Sequence, residues 1–298
     1  MPKLTSVSAA AWQHVLIFGP PKSGKTVLAG ELAKHGYTMD WFDMESGFNS
    51  LRQLPVEAQE NINIIQLPDS PTYPIAIETV LKVVKQPPPA VGQEPAWEIC
   101  HAHGKVNCPL CKKDNKPAEK VNMYAPKPKH IYVFDSITQL VNSAINNIKK
   151  GKGEDYKFEW DDWGNLGVLM DRFLSHIQTM PAHVICISHE TEVEMEDGKM
   201  KLVATAGTRN FSRNSAKYFD HVVYAEVKNK SHVAGSSTTY SNNILTGSRL
   251  SVSTESEKQP TLLNIFLGKV GSAQAQPAVI KNLQLTAAGV AAANKGGT

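Results

Sequence analysis

Gly19-Pro20-Pro21-Lys22-Ser23-Gly24-Lys25-Thr26 is the stretch on which the fold turns. It satisfies G-x-x-x-x-G-K-[ST] at every fixed position, and its flanks are those the pattern requires. Before it, Val15-Leu16-Ile17-Phe18 is a short β-rich apolar run of the kind buried inside a parallel sheet. After it, Val27, Leu28, Leu32 and Ala33 recur at helical spacing up to Gly36, a helix stop. Strand, glycine turn and helix in this order curl backbone N–H groups around a helix N-terminus, which stabilises phosphate oxygens. The mechanics of the motif send Lys25 to the β- and γ-phosphates and give the Thr26 hydroxyl to Mg²⁺. A glycine-rich turn with no ligand is the plainer alternative.

Outward from this loop, Met39–Asp43, Ile62–Leu67, Ile131–Phe134 and Val184–Ile187 are further short apolar runs bounded by polar residues. Ile75–Val84, Ile137–Ile148 and Leu166–Met180 read as helices between them. This alternation predicts an α/β fold, a mostly parallel central sheet flanked by helices on both faces. Two segments break the pattern. Residues 86–130 are Pro-flanked, Lys-rich and hold the cysteine cluster, and they read as an insertion on a surface loop. Residues 286–298 are Ala/Gly-rich and read as a tail, leaving residues 1–285 as the interrupted core.

The chain has 298 residues, 41% hydrophobic and 20% charged, with a net charge of +3. That composition excludes wholesale disorder and says little about partners. No apolar run approaches the roughly 18 residues of a membrane span, and Met1-Pro2-Lys3-Leu4 reads as no signal peptide. Four cysteines, three of them between Cys100 and Cys111, do not resemble a secreted disulfide framework. A cytoplasmic protein is expected.

A phosphate loop needs a carboxylate on the far side of its metal. His130-Ile131-Tyr132-Val133-Phe134-Asp135-Ser136 delivers Asp135 to a strand tip, where ligands bind in open α/β sheets. As Asp and Ser are both good N-caps, a solvated cap is the alternative. Hydrolysis needs, in addition, a group that positions water in line with the γ-phosphate. Asp40-Trp41-Phe42-Asp43-Met44-Glu45-Ser46-Gly47 ends a strand in two acids, Asp43 and Glu45.

With a strand ending in Asp-x-Glu after the phosphate loop, the sequence resembles the RecA/RadA recombinase core, a P-loop ATPase fold. The resemblance implies that Glu45 polarises the attacking water. It also implies a γ-phosphate sensor at the end of His183–Glu190, where Ser188 and His189 stand, with His189 in that role. After an acidic, hairpin-like stretch, residues 204–217 occupy the place of the mobile loop that holds single-stranded DNA. Arg209, Arg213 and Lys217 suit phosphates and Phe211 suits a base. Arg249 stands where related phage ATPases carry a basic residue that reaches a neighbour's phosphates. Covering about residues 10–270 without the insertion, the likeness leaves no room for the N-terminal domain of full recombinases. The chain is most similar to the trimmed bacteriophage RecA-like ATPases of single-strand annealing and recombination. ATP, Mg²⁺, single-stranded DNA, further copies of the chain in a ring or filament, and a single-strand-binding protein are the partners so implied; a phage-encoded chain would act in the host cytoplasm.

Cys100-His101-Ala102-His103-Gly104-Lys105-Val106-Asn107-Cys108-Pro109-Leu110-Cys111 sets C-x-x-H and C-x-x-C pairs across a short loop. Thiolates with an imidazole suit Zn²⁺, and Cys100, His103, Cys108 and Cys111 are the expected ligands, His103 preferred over His101 on spacing. Free thiols, or a redox pair Cys108/Cys111, are the alternatives, though no β-α unit surrounds the pair. The surrounding lysines suit nucleic acid or plain solvent equally. At the level of function, a small-molecule phosphotransferase and a non-hydrolysing ATP-binding module stay open beside the DNA-handling ATPase.

Overall fold

The computed structural model describes residues 12–89, 91–125, 127–153, 155–236, 243–248 and 261–267. Arg249 and residues 286–298, named above as a trans-acting arginine and a tail, lie outside the described residues.

The main sheet contains β1 (His14–Gly19), β2 (Thr38–Asp43), β3 (Ile62–Gln66), β6 (His130–Asp135), β7 (His183–Glu194), β8 (Met200–Ala204), β9 (His221–Lys228), β10 (Ser231–Gly235) and β11 (Gly247–Ser248). Its order is β10-β9-β1-β7-β6-β2-β3, with β11 also on β9 and β8 on β7. From β9 to β3 every pair is parallel, while β10 and β11 run antiparallel to β9 and β8 runs antiparallel to β7. The parallel strands read as continuous apolar runs because both faces of the sheet are covered. Leu16 and Phe18 face one core and Val15 and Ile17 the other.

On the first face lie α3 (Ile75–Val83), α5 (Ile137–Lys149) and α6 (Trp160–Thr179). Phe173 of α6 meets Phe134 of β6 edge-on at 5.3 Å; replacing such a buried ring by alanine costs about 3–5 kcal/mol. The second face carries α1 (Lys25–Gly30), α2 (Val56–Gln59) and α8 (Leu263–Phe266). Leu28, Leu32, Leu54, Ala58 and Ile265 are buried there. Gly36 sits at φ 80°, the left-handed position at which the chain leaves the first helical segment.

The insertion holds β4 (Trp97–Cys100), α4 (Pro109–Lys113) and β5 (Ala118–Val121); β4 and β5 form a separate antiparallel pair. It is docked on the body. Trp97 Nε1 donates to the Lys85 carbonyl at 3.0 Å, Tyr124 Oη to Val84 at 3.1 Å, and Tyr132 Oη to Asn122 at 2.9 Å. Ile99, Val106, Val121 and Met123 join the main core, so apolar residues too few for a core of their own borrow one.

Three boundaries differ from the sequence reading. α6 begins at Trp160, set by a capping box between Glu159 and Asp162; its first turn shows little apolar periodicity because Trp160 is exposed. Strand β7 continues past the sheet into a hairpin with β8. Residues 204–217 are not a loop throughout: Thr208 caps α7 (Arg209–Asn214), accepting from Phe211 N–H at 3.3 Å.

At the opposite edge from the phosphate loop, four parallel strands begin with histidine: His221, His14, His183 and His130. His183 is neutral, accepting the Gln13 N–H at Nδ1 (3.0 Å), and burial lowers its pKa from 6.5 to about 4, helped by nearby His14. Its unfolded form therefore binds the proton first. Stability is present in full above pH 6.5 and falls as the pH drops toward 4. Melting curves from pH 7.5 to 4.5 should show this loss, and His183→Gln should flatten it. Equal pH dependence in both proteins would remove His183 from the effect.

Candidate nucleotide site

The register of the parallel strands assembles the site. Asp43 pairs with Asp135 across β2 and β6, Asp135 with Ile187 across β6 and β7, and Gly19 with His189 across β1 and β7. All end at the carboxyl edge, beside the N-terminus of α1. A cavity of about 710 Å³ opens there, lined by the phosphate loop, Glu45, Asp135 and His189. The opening is of nucleotide size.

Lys25 is buried, and its ammonium donates to the carbonyls of Gly19 (2.9 Å) and Pro20 (2.7 Å) and to Ser23 Oγ (3.4 Å). Burial lowers its pKa, against the opposing charges of Asp135, Glu45 and Glu190. Lys22 and Gly24 hold positive φ values of 64° and 90°, which turn the loop back on itself. Thr26 Oγ1 donates to Asp135 Oδ2 at 3.0 Å. Asp135 is almost fully buried, and burial together with the Glu45 and Asp43 charges raises its pKa to about 7. Such a carboxylate beside a hydroxyl fits a divalent cation, which would supply the missing positive charge. Thr26 and Asp135 would hold Mg²⁺, whose chemistry is to neutralise charge on the phosphates. Asp43 accepts the Gly47 N–H at 3.0 Å and braces the turn that follows Glu45.

Glu45 is held at both oxygens. Ser136 Oγ donates to Oε1, and His189 Nε2 approaches Oε2 at 3.4 Å. Burial alone would raise its pKa, but the bonds from His189 and Ser136 and the Lys25 charge outweigh it and leave it below the usual value. The group is thus an ionised, oriented acceptor. Ser136 also accepts the Gln139 N–H at 3.2 Å, and Thr138 Oγ1 accepts the His189 N–H at 2.9 Å. The first turn of α5 therefore ties Glu45 to the end of β7. Ser136 was legible only as an N-cap, and Thr138 carried no signal. Lys230 of the β9–β10 turn and Ser231 and His232 of β10 also line the cavity, and no local motif marks them.

The residues named for DNA lie away from this cavity. Arg209 and Lys217 are exposed. The Phe211 ring is half-buried and stacks on Tyr218 at 6.2 Å, and Lys217 Nζ sits 4.8 Å over Tyr218. Arg213 is half-buried.

The four proposed zinc ligands converge, their ligand atoms all within 4.8 Å of one another. His103 Nδ1 lies 3.9, 3.6 and 3.2 Å from the sulfurs of Cys100, Cys108 and Cys111. A tetrahedral ion with Zn–S near 2.3 Å and Zn–N near 2.0 Å would set those separations at about 3.6 Å. The donor set and spacing fit zinc. The Cys111 backbone N–H lowers the Cys108 thiol, while burial and the adjacent sulfurs raise that of Cys111. His101 points elsewhere, 3.6 Å from Glu119.

A phosphate loop, a buried strand-tip aspartate and a mostly parallel sheet covered on both faces define a P-loop nucleotide-binding protein. The chain belongs to the AAA domain family, which it matches over residues 11–250. No curated protein sequence matches it. Among solved structures it is similar to the RadB recombinase, at 16% identity and a TM-score of 0.40, over 75% of this chain and 79% of that one. Among the described residues no helix is long and apolar enough to cross a membrane.

Proposed function

We propose that this chain is a RecA-like ATPase that hydrolyses ATP with Mg²⁺ and grips single-stranded DNA as a homo-oligomer, in strand annealing or recombination of the bacteriophage type. The observation that carries the reading is the shared hold on Glu45. Ser136 ties it to the strand bearing the metal carboxylate, and His189 ties it to β7, which runs unbroken into the hairpin beyond the sheet. Water-positioning group and sensor are thus in contact, and a γ-phosphate arriving between them would move the hairpin. The His189 carbonyl accepts the Thr205 N–H at 2.9 Å, which leads directly to α7 and its exposed Arg209. In this reading ATP favours the DNA-gripping arrangement and hydrolysis releases it. The Cys/His module, holding zinc, is a structural clamp.

ATP turnover measured with and without single-stranded DNA tests the proposal. Stimulation by DNA is expected. Turnover that needs a small acceptor would instead identify a phosphotransferase, and binding without turnover a non-hydrolysing module. If DNA binding responds to salt with a flat line, Arg209, Arg213 and Lys217 do not hold phosphates.

A further inference from the structure

The phosphate loop is braced from the side by β9 and β10. A Cβ at Gly19 (φ 150°) would stand 2.0 Å from the Ala225 carbonyl oxygen of β9. One at Gly24 (φ 90°) would stand 2.8 Å from His232 Nδ1 of β10. The backbone of β9 therefore requires glycine at position 19, whereas at position 24 the left-handed backbone favours glycine and His232 packs directly against it. His232 Nδ1 lies 3.0 Å from the Ser23 carbonyl oxygen. A carbonyl only accepts, so the ring donates through Nδ1 and its Nε2 is the second edge. Asn229 and Lys230, at φ 49° and 64°, make the tight turn that delivers β10 to this place. Lys230, Ser231 and His232 all line the cavity.

We propose that His232 is a positioning residue of the nucleotide site: by holding the Ser23 carbonyl it fixes the peptide whose N–H, on Gly24, is offered to the phosphates. In a trans peptide N–H and C=O point in opposite directions. A bond that holds the carbonyl toward His232 therefore fixes the Gly24 N–H on the opposite side of the peptide, away from β10. Without it the peptide can rotate, and the donor must be reoriented each time a phosphate enters. The ligand class is a nucleoside di- or triphosphate, and the inference rests on the nucleotide reading above. His232 is exposed and contributes little to the core, so its effect belongs to binding.

Titration calorimetry with MgADP and with MgATP, on the wild type and three variants, tests it. His232→Ala should weaken both nucleotides about tenfold, the worth of one well-placed hydrogen bond. It should raise KM, leave kcat at saturating ATP unchanged, and leave the Tm of the nucleotide-free protein within about 1–2 °C. His232→Asn places an amide N–H where Nδ1 stands and should restore affinity, whereas His232→Gln extends past Nδ1 and should not. Wild-type affinity in the Ala variant, or equal behaviour of the Asn and Gln variants, overturns the proposal and leaves the nucleotide reading standing. A wild-type protein that binds neither nucleotide removes both.

Discussion

Glu45→Gln is expected to bind MgATP as the wild type does and to turn it over about 10²–10⁴-fold more slowly, the usual contribution of a positioned general base. The amide keeps the shape of the carboxylate, so the bond from Ser136 and the contact with His189 survive in outline. What disappears is the negative charge that aligns and polarises water. Binding should survive, because the side chains the motif aims at the phosphates, Lys25 and Thr26, are held by Gly19, Pro20, Ser23 and Asp135 and not by Glu45. Single-turnover measurements separate the two steps. Unchanged hydrolysis in the Gln variant would take Glu45 out of the mechanism and direct attention to Glu190. That carboxylate is held by Tyr224 Oη at 2.8 Å and is close enough to act on the Lys25 charge.

What could be read in advance follows from how each feature is encoded. The phosphate loop, Asp135 and the parallel strands are written in contiguous residues, where local pattern and function coincide. Glu45 and His189 were placed through family likeness, and their meeting depends on strand order, which periodicity does not record. His232 was invisible because its role arises from a β-turn far along the chain that folds back on Ser23. Residues 204–217 misled for another reason: their polar composition suggests a loop, yet the Thr208 cap and burial of Ser212 and Ser215 make helical turns of them. The insertion shows the converse case. Its ligand spacing was plain, but nothing local revealed that Ile99, Val121 and Met123 would be sunk into the core of the body.

That shared core sets the second large effect. Purified protein should contain about one zinc per chain, and Cys108→Ser/Cys111→Ser should abolish it. Without the metal, three buried cysteines and a histidine no longer cross-link the end of β4 to the loop and helix before β5, and the short β4–β5 ladder with its few core residues must hold the module alone. The turn at Gly104 sits on the end of β3, where a Cβ would be 3.1 Å from the Gln66 carbonyl. Its own carbonyl accepts from Thr79 Oγ1 of α3 at 2.6 Å. Loosening the module therefore uncovers α3 and part of the first core, on the order of 3–5 kcal/mol by comparison with other core disruptions. At about 2–4 °C per kcal/mol for a chain of this class, the Tm should fall by about 10 °C. Nucleotide affinity should change far less, because the module contributes no side chain to the nucleotide cavity. A strong chelator added to the wild type should reproduce the loss, and stoichiometric zinc should reverse it. A double variant that keeps its full equivalent of metal, or a wild type indifferent to chelation, would leave the cysteines as buried thiols with no ion to bind.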